Sequence, residues 1–201
     1  MAKVTAFVLA GGKSTRMGTN KAFLEFQGRS LLSNALELAR SVTGEVRIVG
    51  ASEQFSAFGT VVQDVYPNRG PLGGIHAALK SSDTELNLIT GVDLPLLDAR
   101  FLKHVMHIAT KCDALVTVPR VNGHYEPLCA VYRKLFAVVA DAALGAGQNK
   151  IDALFPEVPT WVISAEELAS GGFSPAMFRN INTREDWKEA QQEFANRAAR
   201  L

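Results

Sequence analysis

The sequence predicts an α/β fold in three layers, with helices on both faces of a mainly parallel sheet. Two observations carry this. Val4–Ala10 is a β-branched and aromatic run without polar alternation, the pattern of a strand covered on both sides. Further short apolar runs alternate with helical stretches of about 10–15 residues, as βαβ units require.

In chain order, Val4–Ala10 is the first strand and breaks into Gly11-Gly12. Ala22–Phe26 reads as a short extended segment ending at Gln27-Gly28. Ser30 is placed to cap a helix through Arg40, with Leu31, Leu32, Ala35, Leu38 and Ala39 on one face. Val46–Val49 and Val61–Val62 are the next strands, the latter ending at Asp64. A loop built around Gly70-Pro71-Leu72-Gly73-Gly74 precedes a helix to about Ser81. Leu86–Val92 is the fourth strand, closed by Asp93-Leu94-Pro95. Asp98 caps a helix through Lys111 whose buried stripe is Phe101, Leu102, Val105 and Ile108. Ala114–Val118 is a strand stopped by Pro119, followed by a polar loop over Arg120–Glu126 and a strand over Leu128–Tyr132. Helices follow over Lys134–Leu144 and Lys150–Phe155, then a short strand over Thr160–Ile163. Thr183-Arg184-Glu185-Asp186 has the form of a capping box opening a final helix, with Trp187, Ala190, Gln191, Phe194 and Ala198 on one side.

A chain of 201 residues fits one domain and can bury roughly 70% of its unfolded surface. Its net charge of +1 argues against a nucleic-acid binder that works through a whole-surface basic field. Cys112 and Cys129 are the only cysteines. Their spacing builds no zinc site, and such sparse usage suits a reducing compartment. No run approaches the length of apolar sequence a membrane span needs. Lys3 and Val4–Ala10 imitate a signal peptide, but Lys13 and Arg16 follow at once with no small-residue cleavage pattern. A soluble cytoplasmic protein, with neither nucleic acid nor membrane as partner, is expected.

The chemistry-bearing residues cluster at strand ends. Before Glu25 there is no acidic residue, while Lys13, Arg16 and Lys21 follow the glycine pair. Gly12-Lys13-Ser14 imitates the end of a P-loop, but that motif needs its first glycine at position seven, where Phe7 stands. No G-x-G-x-x-G is present either. What remains is a glycine turn that brings backbone N–H groups to an anion, ringed by three cations, a combination suited to a triphosphate. Asp93 is placed either to bind Mg²⁺ alongside phosphate oxygens or to cap the turn before Pro95; Asp64 has the same two readings. Gly70–Gly74 serves either as a close approach for a base or ribose, or as an ordinary tight turn. His76, His104, His107 and His124 have no acidic or cysteine partner in sequence that would mark a site. In open α/β sheets ligands bind beyond the strands' carboxyl ends, so Gly11–Lys21 and Asp93-Leu94-Pro95 should share one crevice.

Together, Leu9–Gly18 with Lys21, then Gly70–Gly74, then Val92-Asp93-Leu94-Pro95, then Asn180-Ile181-Asn182-Thr183 with Glu185-Asp186, resemble the molybdenum cofactor guanylyltransferase family. Arg184 stands where that family usually has proline. The resemblance implies a nucleotide-diphospho-sugar transferase-like (Rossmann-like) fold in a single domain, with residues 1–95 serving the nucleotide and 96–201 the acceptor. It implies transfer of GMP from GTP to molybdopterin with release of pyrophosphate, and Mg²⁺ as cofactor. Carried over by position, Leu9, Ala10, Gly11, Gly12, Lys21, Asp64, Gly70, Pro71, Leu72, Gly73 and Asp93 serve the nucleotide. Lys13, Arg16, Lys21 and Asp93 serve the transfer, Asp93 as the metal ligand, and Asn180 and Asn182 face the molybdopterin. Gly50 stands where the family often has an asparagine near the guanine. Proteins that deliver molybdopterin or receive the product are further implied partners. Rival readings are a cytidylyl- or sugar-phosphate nucleotidyltransferase and a non-catalytic GTP sensor. Relatives using CTP tend to read Ala-Ala-Gly where this chain has Ala10-Gly11-Gly12, which favours GTP.

Overall fold

A computed structural model describes residues 3–11 and 20–198. The chain runs through β1 (Val4–Leu9), a 3-10 turn (Lys21–Phe23), the hairpin of β2 (Glu25–Phe26) and β3 (Arg29–Ser30), α1 (Leu31–Arg40) and β4 (Val46–Val49). It continues through α2 (Ser52–Phe55), β5 (Val61–Val62), α3 (Gly70–Ser81), β6 (Leu86–Gly91), α4 (Ala99–Lys111), β7 (Val116–Val121) and β8 (His124–Tyr125). Then come β9 (Cys129–Arg133), α5 (Phe136–Gly145), β10 (Thr160–Ile163), α6 (Ala165–Ser170) and α7 (Arg184–Ala198).

The main sheet has the order β10-β7-β9-β6-β1-β4-β5, with β8 added to β7. β1 is central and parallel to both neighbours, Val8 opposite Ile48 on one side and Thr90 on the other. Its residues alternate between two cores. Ala6, Val8 and Ala10 join the layer that holds α1, α4 and Ala190 of α7; Phe7 and Leu9 join the layer of α3 and α5. Both faces being apolar explains why the strand reads as a continuous hydrophobic run. From β1 the chain moves outward to β4 and β5, then returns through α3 to β6 on the other side of β1. The order therefore reverses between β1 and β6, and the carboxyl ends of strands at such a reversal are where open α/β sheets bind ligands.

Most elements form where the sequence places them. Ser30 caps α1 by accepting from the Ser33 N–H at 3.1 Å, and Asp98 caps α4 through Arg100 N at 2.7 Å. Several expectations need correcting. Gly70–Gly74 is the first turn of α3, not a loop before it. Pro119 does not stop its strand: β7 runs on to Val121, because Pro119 stays in register with Ile163 of β10 and its carbonyl accepts from the Glu126 N–H at 2.9 Å, while the ladder with β9 ends at Thr117. The polar stretch after it is a hairpin into β8, turned by Asn122 and Gly123 at φ 50° and 83°, the left-handed pair that an Asn-Gly turn supplies. β9 is antiparallel to β6 and β7. Ala22–Phe26 begins as a 3-10 turn, and the segment over Lys150–Phe155 is two 3-10 turns, Ile151–Ala153 and Phe155–Glu157. In α1 the buried residue Leu36 was not among those expected, while Ala35 and Leu38 only flank the core. α4 buries Met106 and Ala109, with Ile108 at the edge. α6, capped by a reciprocal Ser164–Glu167 box, was not anticipated.

Candidate active site

Three segments far apart in sequence meet at the carboxyl ends of β1 and β6. The first is Lys21, the opening residue of the 3-10 turn. Asn20 starts that turn by accepting from the Ala22 N–H at 3.0 Å and donates to Gln54 at 2.7 Å, which fixes the direction of the lysine. The second is Asp93, two residues past β6. Its partner strand crowds it: a side chain at Gly91 would begin 2.8 Å from Asp93 Oδ1 and 3.4 Å from Leu128. Gly91 also donates to the Leu128 carbonyl at 2.8 Å and Val92 to the Leu9 carbonyl at 3.1 Å. The third is the strap 179–183 before α7. Ile181 is fully buried, and its N–H donates to the Asp93 carbonyl at 3.0 Å.

These contacts bring three of the side chains expected at the site together. Lys21 Nζ donates to Asn182 Oδ1 at 2.6 Å and lies 3.5 Å from Asp93 Oδ2. All the oxygens are hard donors, and one carboxylate with carbonyl and water ligands suits Mg²⁺ better than a softer ion. Among the described residues no group of three or more His, Cys, Asp or Glu converges on a metal position, and Asp93 is the carboxylate beside Lys21. The donor set therefore fits a metal shared with phosphate oxygens.

The remaining expected residues sort clearly. Leu9 and Ala10 are buried at the end of β1. The N–H groups of Ala10 and Gly11 both donate to the Val49 carbonyl, at 3.0 and 3.2 Å, so neither is aimed at an anion. Gly12, Lys13 and Arg16 lie outside the described residues. Asp64 is solvent-accessible just past β5, yet the protein around its carboxyl desolvates it enough to raise its pKa. Gly70 has φ 63°, a left-handed geometry that favours glycine, and Pro71 beside it is exposed. Leu72 is a fully buried core side chain. Gly73 is required by packing, since a Cβ there would fall 2.9 Å from the Tyr66 carbonyl oxygen, and one at Gly74 would fall 3.0 Å from Leu9. At Gly50 the first atom of any side chain would meet the buried Phe55 ring at 2.7 Å, so Phe55 fills the space an asparagine would need. Asn180 is exposed on the strap, two residues before Asn182.

Glu126 was missed. It lies between β8 and β9, half-buried, and its carboxyl pKa is pushed up to about 7 by burial and then by the negative charges of Asp152 and Asp93. The available signal was that it is the only acidic residue between Asp113 and Asp141. His76 belongs elsewhere: it is buried on α3 with Nε2 3.1 Å from Asp141 on α5, and burial lowers its pKa more than Asp141 raises it.

Comparison with known proteins decides the family. The family described as MobA-like NTP transferase domain matches residues 6–158, well over half of the chain. The chain belongs to this family. A probable molybdenum cofactor guanylyltransferase of Carboxydothermus hydrogenoformans is 32% identical over 196 residues, covering 97% of this chain and 98% of the relative. A molybdenum cofactor guanylyltransferase of Desulfosudis oleivorans is 34% identical with both chains covered in full. Among solved structures, molybdopterin-guanine dinucleotide biosynthesis protein A from Archaeoglobus fulgidus superposes with a TM-score of 0.83 over 96% of this chain and 99% of that one, at 24% identity. That likeness bears on the fold alone, the α/β architecture expected from the sequence.

Proposed function

We propose that this protein transfers GMP from GTP to the terminal phosphate of molybdopterin and releases pyrophosphate. The observation that carries the reading is the convergence of Lys21, Asp93 and Asn182 at the β1–β6 reversal, in a chain similar along its whole length to relatives named for that activity.

In this reaction an oxygen of the acceptor phosphate attacks the α-phosphorus of GTP in line. The new P–O bond forms as the bond to the β-phosphate oxygen breaks, and pyrophosphate leaves with that electron pair. No covalent enzyme intermediate is required, so the protein's work is positioning and charge stabilisation. Lys21, with its ammonium inside the cleft, meets the negative phosphate oxygens, and Lys13 and Arg16 offset charge on the departing pyrophosphate. Asp93 is the residue to hold Mg²⁺, which would supply charge neutralisation between neighbouring phosphate oxygens. The strap through Asn180 and Asn182 faces the acceptor. Neither of the free cysteines, Cys112 and Cys129, takes part, and both suit a reducing cytoplasm. No described helix is long and apolar enough to cross a membrane.

The test is pyrophosphate release measured with each nucleoside triphosphate, with and without Mg²⁺ and molybdopterin. Release dependent on GTP, molybdopterin and Mg²⁺ together is expected. Release with CTP alone would reassign the nucleotide, and binding of GTP without release under any condition would make the protein a sensor. Lys13→Ala should lower turnover by roughly 10²–10³-fold, the scale for one preorganised charge-stabilising donor.

A further inference from the structure

Asp186 closes the capping box that opens α7, and its carboxylate is turned back on the strap. A single oxygen, Oδ2, accepts from the backbone N–H of Asn182 and of Thr183, both at 2.8 Å. In return the Asp186 N–H donates to Thr183 Oγ1 at 3.1 Å. The strap is fixed from the other side by the buried Ile181 and its bond to the Asp93 carbonyl. Asn182 is thus held between two anchors, and its side chain accepts from Lys21.

The geometry at Lys21 gives that arrangement a purpose. Its ammonium makes a short hydrogen bond to Asn182 at 2.6 Å but stands 3.5 Å from Asp93 Oδ2, beyond the usual length of an N–H···O bond. Without Asn182 the ammonium can close further onto Asp93, from the present 3.5 Å to hydrogen-bonding distance. That would tie up a cation and a carboxylate that phosphate binding needs. A carboxylate is well suited to the clamp, since bonds from backbone N–H groups to a charged acceptor are the stronger kind. The bonds to Asn182 and Thr183 hold the Asp186 carboxyl below its ordinary pKa, so it stays ionised at neutral pH.

We propose that Asp186 is a positioning residue for the transfer reaction, acting through the Asn182 backbone to hold the Lys21 ammonium in its place beside Asp93. The role rests on the activity proposed above. Asp186 touches neither nucleotide nor acceptor.

A double-mutant cycle tests it, with Asp186→Ala, Asn182→Ala and the double variant compared for kcat, KM and Tm. Asp186→Ala should lower kcat by about ten- to a hundredfold, the range for a small misplacement of a reacting group, with KM for GTP changed much less. In the Asn182→Ala background the same substitution should cost less than about threefold, because the path it acts through is gone. Asp186→Asn, which keeps one acceptor oxygen, should recover most of the loss. An equal loss in both backgrounds, or an unchanged kcat accompanied by a fall in Tm, would reduce Asp186 to a helix cap and overturn the proposal. A readout independent of turnover is the ¹H–¹⁵N signal of the Lys21 ammonium, assigned with Lys21→Arg. It should shift alike in Asp186→Ala and Asn182→Ala, and an unmoved signal in Asp186→Ala would also overturn it. If the wild type released no pyrophosphate, the proposed activity would fall, while this signal would still decide the clamp.

Discussion

At the scale of single residues, the site is organised by a few polar side chains, with Lys21 paired to Asp93 at 3.5 Å and bonded to Asn182. Asp93→Asn keeps the shape of the turn but removes the charge. It should raise the Mg²⁺ concentration needed for half-maximal pyrophosphate release by an order of magnitude or more while leaving the far-ultraviolet spectrum unchanged; identical Mg²⁺ titrations would remove Asp93 from the metal site. Glu126 makes a prediction about stability instead. Its pKa rises from 4.5 in the unfolded chain to about 7 in the fold. Between those values the folded form holds a proton that the unfolded form releases, so this group's contribution falls as pH rises through the window. In the metal-free protein Glu126→Gln should therefore leave Tm nearly unchanged at pH 4 and raise it at pH 8, and calorimetry at the two pH values reads the difference directly. The reverse order would mean that Glu126 is stabilised as an anion.

At the scale of elements, the glycines of α3 separate what was legible in the sequence from what was not. Gly70-Pro71-Leu72-Gly73-Gly74 was conspicuous, and either a ligand approach or a turn could account for it. The structure shows a third cause at Gly73 and Gly74, namely helix packing against the Tyr66 carbonyl and Leu9. No local pattern reports a contact between a helix and the backbone of a preceding loop. Gly73→Ala should thus act on stability: relieving a 2.9 Å approach to a carbonyl oxygen costs about 1–3 kcal/mol, at roughly 2–4 °C of Tm per kcal/mol for a chain of this size. A thermal shift assay showing no change would mean that α3 moves freely. The parallel strands and the capped helices α1 and α4 were readable because each depends on its own residues. The direction of β9 was not, since an apolar strand reads the same whether it runs with its neighbours or against them. The Asn122-Gly123 turn was readable as an Asn-Gly pair, but the strands on either side, Arg120-Val121 and His124-Tyr125, are too short to show a pattern of their own.

At the scale of the whole molecule, the candidate site was half legible. Lys21 and Asp93 stand out because each follows a strand at its carboxyl end, and the reversal of strand order places them side by side. Glu126 does not stand out, because the charges that act on it, Asp152 and Asp93, come from other parts of the chain, whereas Asp186 was legible as the end of the Thr183–Asp186 capping box. The helix α7 also binds the hairpin: Trp187 Nε1 donates to the Glu25 carbonyl at 3.1 Å, and Phe194 meets Phe26 edge to face. Truncation after Thr183 leaves every strand of the main sheet intact but removes Ala190, Trp187 and Asp186. The shortened protein should still unfold cooperatively, at a lower Tm, and show no measurable pyrophosphate release; retained turnover would mean that the strap needs no support from α7.

The hydrogen bond between Lys21 and Asn182 spans 161 positions of the chain. Synthesis runs from the N-terminus, so Lys21 and Asp93 are made well before the asparagine, and the last sheet strand, Thr160–Ile163, only shortly before it. A chain that ended between that strand and Asn182 would hold the whole main sheet and lack the third side chain of the cluster, an inert body and not a partly active enzyme that consumes nucleotide without completing its product.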